Sequence, residues 1–182
     1  GMGWFVRAGE CAPGGRCFRY DARTMKRVLI VEDLPEAQLW VAGVANAAFD
    51  RPCLRTVSRC DDALSLLRRE PFDLALVDLG LPDGNGTDVV GALRHHQPHA
   101  VSVVVTIHDD DDHLFPALQA GAYGYLLKEQ PREQLMEHLQ RISQGEPPLS
   151  PSIARKVIKY FASQSQPVAS NMPEVSLTER ES

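Results

Sequence analysis

Short apolar runs alternate with helically spaced apolar residues from Met25 to about Gln144. The runs at 26–31, 53–57, 72–79, 101–106 and 123–127 are rich in β-branched and aliphatic residues. That pattern predicts five strands. Between them, apolar residues recur three and four positions apart, predicting helices over 35–49, 61–69, 87–95, within 110–120, and over 132–144. The first helix places Leu39, Trp40, Val44, Ala47 and Ala48 on or near an inward face; the second turns Ala63, Leu64 and Leu67 inward, the third Val89, Val90 and Leu93. Pro116 is awkward inside the fourth helix, since proline fits only a first turn without a kink. Gly121 and Gly145 suit the ends of the fourth and fifth helices. Repeated βα units predict an α/β fold, a doubly wound parallel sheet with right-handed crossovers. Ligands of such sheets bind beyond the carboxyl ends of the strands.

The residues at those ends carry the candidate chemistry. The first run leads into Glu32-Asp33, the third into Asp78, the fourth ends in Thr106 and the fifth in Tyr125-Leu126-Leu127-Lys128. Parallel strands would gather three carboxylates, a hydroxyl and an ammonium at one edge. A carboxylate such as Asp78 can attack phosphorus and form an acyl phosphate. At about 5 Å and an effective dielectric near 20, each pair of carboxylates repels by roughly 3 kcal/mol. A hard divalent cation relieves that repulsion, and Mg²⁺ prefers oxygen ligands. Lys128 supplies a point charge and Thr106 a donor for phosphoryl oxygens.

Composition narrows the class. Hydrophobic residues make up 43% of the 182, enough for a sizeable core, but no apolar stretch is long enough to span a bilayer. The N-terminus shows no apolar signal region, so a cytoplasmic location without membrane attachment is expected. Residues 25–144 hold 11 Lys and Arg against 18 Asp and Glu. An acidic domain grips a phosphate backbone poorly, so any DNA contact is expected from another module. Cys11, Cys17, Cys53 and Cys60 show no metal spacing, and Cys53 and Cys60 are expected to be reduced thiols. The run Asp109–Asp112 reads as a solvated loop entering a helix N-terminus, and His95, His96, His99, His108 and His113 lack any zinc-site spacing.

The flanks differ in character. Residues 1–24, with five glycines, are expected to be a flexible extension; Gly1-Met2 reads as a remnant of tag removal and Met25 as the natural start. Residues 146–176 open with a Pro-rich stretch, contain a short helix at 152–161 with a basic face of Arg155, Lys156 and Lys159, and continue as a polar tether. Thr178-Glu179-Arg180-Glu181 fits a capping box that opens a further helix.

Glu32-Asp33, Asp78, Thr106 and Lys128 together resemble the pattern of two-component response-regulator receiver domains. The stretches Val77-Asp78-Leu79-Gly80-Leu81-Pro82-Asp83-Gly84 and Gly124-Tyr125-Leu126-Leu127-Lys128 resemble the NarL/FixJ subfamily, and Leu177-Thr178-Glu179-Arg180-Glu181 resembles the opening of a LuxR-type helix-turn-helix domain. The resemblance implies a flavodoxin-like (βα)5 domain over 25–145 with strand order 2-1-3-4-5, a linker helix, and a DNA-binding domain cut off after 177–182. It implies Asp78 as phosphoacceptor. Mg²⁺ would be held by Asp33, Asp78 and the Gly80 carbonyl, with Glu32 acting through water. Thr106 and Tyr125 would be the switch pair, with Tyr125 moving inward on phosphorylation, and Lys128 the phosphate counter-ion. The implied partners are a sensor histidine kinase or small phosphodonor, a second copy on activation, and promoter DNA through the further domain. Ile107 is bulky where many receivers carry a small residue, and Glu129 replaces the proline that often follows the lysine.

Three other readings compete. An aspartate-nucleophile phosphohydrolase needs a second Asp two residues after the first, where this chain has Gly80. A flavodoxin-type cofactor binder needs a phosphate cradle after the first strand, where Glu32-Asp33 would repel phosphate. A receiver serving only as a protein-interaction module differs in what lies beyond Ser182.

Overall fold

The computed structural model describes residues 25–165. The expected extension at 1–24, the polar tether beyond 165 and the capping box at 178–181 lie outside the described residues. Two units separate after Ser150.

The first unit is a five-stranded parallel sheet in the order β2-β1-β3-β6-β7. Its strands are β1 (Arg27–Val31), β2 (Cys53–Val57), β3 (Leu74–Val77), β6 (Val101–Thr106) and β7 (Gly124–Leu127). β4 (Gly80–Leu81) and β5 (Gly84–Asn85) form a separate two-residue antiparallel ladder. Counting only the main sheet, the order is the expected 2-1-3-4-5. The helices are α1 (Pro35–Ala48), α2 (Cys60–Arg69), α3 (Gly86–His96), α4 (Asp111–Ala120) and α5 (Arg132–Gln140), the last tightening into a 3₁₀ turn at Arg141–Gln144. Gly121 and Gly145 end their helices in the left-handed conformation. Pro116 does lie inside α4 and removes one helical N–H.

The strands alternate between two cores. Val28, Ile30, Leu74, Leu76, Val103 and Leu126 pack with Val41, Val44, Leu135 and Leu139 of α1 and α5. Leu29, Val31, Ala75, Val77 and Val104, also fully or nearly fully buried, point to the other face by the period of two. β3 and β6 are buried at every position, as a parallel sheet covered on both sides requires. β2, at the edge, has no fully buried residue, which explains its weak sequence signal.

One expectation about the core fails. Leu39 is 77% exposed, and Ala47 is exposed as well. α1 buries Val41, Val44, Ala45 and Ala48. At about 100° per residue, Leu39 stands roughly 160° from Val41 and so on the far side of the helix.

Two glycines permit close approaches. A Cβ on Gly86 would stand 2.1 Å from the Asp78 carbonyl oxygen, so α3 can begin against the end of β3 only through glycine. A Cβ on Gly124 would stand 2.4 Å from Pro148. There the chain returns along β7: Tyr125 N–H donates to the Pro148 carbonyl at 2.8 Å and Ser150 N–H to that of Tyr125 at 3.1 Å. The Pro-rich stretch thus lies as a short extra bridge, Leu149 to Tyr125, on an edge where a proline without N–H is tolerated.

The second unit contains α6 (Pro151–Gln164), longer than the 152–161 expected. Among the described residues, no helix is long and apolar enough to cross a membrane.

Candidate functional site

Register explains why the polar residues meet. Val31 pairs with Val57 and Val77, Val77 with Val104, and Thr106 with Leu127. Each strand then hands its next residue to the same edge. Glu32 N–H donates to the Val57 carbonyl at 3.0 Å, Asp78 N–H to that of Val31 at 2.9 Å, and Lys128 N–H to that of Thr106 at 2.9 Å. Glu32, Asp78 and Thr106 are 2%, 8% and 0% exposed.

Lys128 Nζ donates to Glu32 and, at 3.1 Å, to Asp78 Oδ2. Carboxylate oxygens of Glu32, Asp33 and Asp78 all lie within 4.8 Å of one another. Asp78 Oδ1 is buried and has no hydrogen-bond partner among the described residues. Two buried carboxylates therefore share one ammonium, with the half-buried Asp33 close beside them. Burial raises the Glu32 pKa above the ordinary value; the bond from Lys128 opposes that shift and the charge of Asp78 adds to it. Burial works against the Lys128 charge too, but the Glu32 bond and the Asp78 charge outweigh it and the pKa is raised.

An oxygen-only donor set with one orphaned buried carboxylate oxygen fits a hard divalent cation. The carboxylates able to hold such an ion here are Glu32, Asp33 and Asp78. Gly80 lies two residues beyond Asp78, exposed in β4.

Thr106 and Tyr125 both meet the loop after β6. His108 N–H donates to Thr106 Oγ1 at 3.3 Å, and Tyr125 Oη–H donates to the His108 carbonyl at 2.6 Å. Tyr125 is 0% exposed, so it already occupies an inward position; burial and the nearby Asp110, Asp109 and Asp78 raise its pKa. Ile107 is 62% exposed and stands in solvent. All peptide bonds among the described residues are trans, including Lys128-Glu129.

Several positioning residues escaped the sequence reading. The Gln38 side-chain amide donates to the Glu32 carbonyl and to Ser58 Oγ. Asp83 accepts from the N–H groups of Cys60 at 2.7 Å and Asp61 at 3.0 Å, which lowers its pKa and ties the loop after Asp78 to the start of α2. Buried Gln97 accepts from Phe72 N–H at 2.7 Å and donates to the carbonyls of Leu67 and Glu70. Asp83 thus caps the start of α2 from 22 residues away in sequence.

Comparison with known proteins agrees with this geometry. Residues 28–140 match the family described as response regulator receiver domain. The response regulator GacA of Pseudomonas aeruginosa is 32% identical over 161 residues, which cover 86% of this chain and 72% of that protein. The transcriptional regulatory protein DegU of Brevibacillus brevis is 29% identical over 138 residues, 74% of this chain and 57% of its own length. The chain thus spans little more than half of that relative. Among solved structures, a CheY-like receiver domain protein from Methanospirillum hungatei superposes with a TM-score of 0.59 at 26% identity, covering 67% of this chain and 96% of that one. A LuxR-family two-component response regulator from Aurantimonas gives a TM-score of 0.66 at 23% identity over 76% of this chain and 99% of its own, a likeness of fold. With its sheet order, its acidic edge and this match over most of the sheet-bearing unit, the chain belongs to the receiver-domain family of two-component response regulators.

Proposed function

We propose that Asp78 is the phosphoacceptor of a switch. An Asp78 carboxylate oxygen attacks the phosphorus of a donor, the bond from phosphorus to the donor's leaving group breaks, and an aspartyl phosphate forms. The reading is carried by the orphaned, buried Asp78 Oδ1 beside an Oδ2 already held by Lys128. A bound Mg²⁺ would neutralise the converging anionic charge. Glu32, Asp33, Asp78 and the Gly80 carbonyl are the groups proposed to hold it, Glu32 through water. Lys128 would pair with one phosphoryl oxygen and Thr106 would donate to another. Catalysis in such transfers is mostly positioning and charge neutralisation.

The signal would leave through the His108 peptide, which joins Thr106 and Tyr125. Drawing Thr106 toward a phosphoryl group pulls on the same loop that holds the Tyr125 hydroxyl. Phosphorylation would favour inward Tyr125, the position seen here, over an outward alternative by a population shift. The surface of α4, β7 and α5 changes with it. With Gly80 where a phosphohydrolase carries its second Asp, the chain is proposed to act as a phosphoacceptor with slow self-hydrolysis rather than an enzyme on an external substrate.

The donor would be a sensor histidine kinase or a small phosphodonor. Residues 25–145 would be the receiver, 146–176 a linker, and 177–182 the opening of a LuxR-type domain that binds promoter DNA, with homodimerisation on activation in the cytoplasm. Incubation with Mg²⁺ and acetyl phosphate, read by intact mass, tests the core of this. One phosphoryl addition is expected, absent in Asp78→Asn and in EDTA; undiminished addition in Asp78→Asn would reject it.

A further inference from the structure

A second cluster of metal-ligating side chains shares no residue with the Glu32, Asp33 and Asp78 group, although His108 Nε2 stands 3.7 Å from where a Cβ on Gly80 would lie. His108, Asp110 and His113 offer donor atoms that all lie within 4.8 Å of one another. His113 Nδ1 is 2.6 Å from Asp110 Oδ2, and the two imidazoles stack with centroids 4.1 Å apart at 6°. The His-x-Asp-x-x-His spacing matches no familiar zinc pattern. The chain turn does the gathering: Asp110 is the extended N-cap of α4, with φ −77° and ψ 155°, so the loop folds His108 back over the helix's first turn.

We propose that His108, Asp110 and His113 form a binding site for a borderline divalent transition ion of the Zn²⁺ type. Two imidazole nitrogens and one carboxylate are a set that Zn²⁺ takes with water in the remaining position, whereas Mg²⁺ prefers oxygen alone. Donors at about 2.0–2.1 Å from a tetrahedral ion stand roughly 3.3 Å apart. The 2.6 Å contact between His113 and Asp110 must therefore open and the stacked rings must rotate apart. The ion takes the place of the proton between His113 Nδ1 and Asp110, and the neutral ring then carries its proton on Nε2. The His113 and Asp110 side chains are 36% and 48% exposed, so rotation and entry of a hydrated ion are open to them. A helix N-terminus opposes a cation, but Asp109, Asp111 and Asp112 adjoin the site and outweigh a half charge.

The site has a built-in reader. The peptide of His108 bonds both Thr106 Oγ1 and the Tyr125 hydroxyl. An ion on the His108 ring restrains the loop that the switch pair shares.

The test is titration of the full chain with Zn²⁺ by calorimetry, with Mg²⁺ in excess to fill the acidic pocket, and with Co²⁺ by visible absorption. One Zn²⁺ per chain is expected, and a Co²⁺ spectrum without a thiolate band. His108→Gln with His113→Asn should weaken binding by about tenfold or more. His113→Asn alone should weaken it as well and decides the matter should the double variant fail to fold by circular dichroism. Asp78→Asn and the pair His95→Asn with His96→Asn should bind as the parent does. Absence of Zn²⁺ binding, or parental affinity in both His108/His113 variants, overturns the proposal. Loss of Zn²⁺ in Asp78→Asn also overturns it by returning the ion to the acidic pocket. None of these outcomes bears on phosphoryl transfer to Asp78, which is read separately.

Discussion

A surface ion pair and the acidic edge of the sheet both set carboxylates against cations, and they behave in opposite ways. Arg55 and Glu70 meet on the surface at 2.5 Å, with side chains 54% and 30% exposed. The Arg55 bond draws the Glu70 carboxyl below its usual pKa. At the sheet's carboxyl edge, the side chains of Glu32, Asp78 and Lys128 are 2%, 10% and 14% exposed, and there burial drives Glu32 upward in spite of its ion pair. The surface pair is balanced charge for charge and well hydrated, so it tells little about stability or function. The edge holds more anionic charge than one ammonium can compensate. Burying charge costs several kcal/mol per ion after relaxation, and local rules of this kind are broken mainly at functional sites.

The contrast can be broken by removing the single cation. Lys128→Met leaves Glu32 and Asp78 buried against each other and should destabilise the chain by about 3 kcal/mol in urea titration in EDTA. Mg²⁺ should recover part of that loss. A variant as stable as the parent in EDTA would mean the pocket is hydrated after all.

A smaller effect sharpens the difference in sign. The Glu32 pKa is raised in the folded chain, so the folded state binds the extra proton. Its contribution to stability therefore falls as pH rises from about 4.5 through the raised value. Urea midpoints of the parent minus those of Glu32→Gln, in EDTA, should decline over that window. Saturating Mg²⁺, which favours the ionised form, should flatten or reverse the decline; a difference that rises with pH in EDTA would contradict the assignment. The surface pair should give the least: Arg55→Ala is expected to leave the melting temperature unresolved from the parent, and a clear drop would show that the pair organises more than its exposure suggests.

The parallel sheet and the pocket were legible from local signals in sequence, and the strand order from the resemblance to receiver domains. Val28–Val31 and Leu74–Val77 are apolar throughout and lead into Glu32 and Asp78, and Val101–Thr106, apolar apart from Ser102, ends in Thr106. Parallel pairing then leaves no other place for Glu32, Asp78, Thr106 and Lys128. What stayed hidden depends on approach in space. Leu39 looked like core because it is leucine, but the helix's other apolar residues fix a stripe that excludes it. The β4–β5 ladder is two residues a side and has no periodicity to read. Asp83 as a cap for α2, Gln97 as a buried bridge and the His108 peptide as the link between Thr106 and Tyr125 all join residues 17 to 30 positions apart. The convergence of His108, Asp110 and His113 arises from one turn whose conformation no spacing rule encodes.

The claim that Asp78 is the acceptor has one decisive measurement. The chain is phosphorylated with Mg²⁺ and acetyl phosphate, reduced with borohydride, which converts an acyl phosphate on Asp into homoserine, digested, and sequenced by mass spectrometry. Homoserine at position 78 and nowhere else is expected. Conversion at Asp33 instead, or phosphorylated chain with position 78 still Asp after complete reduction, would contradict the account.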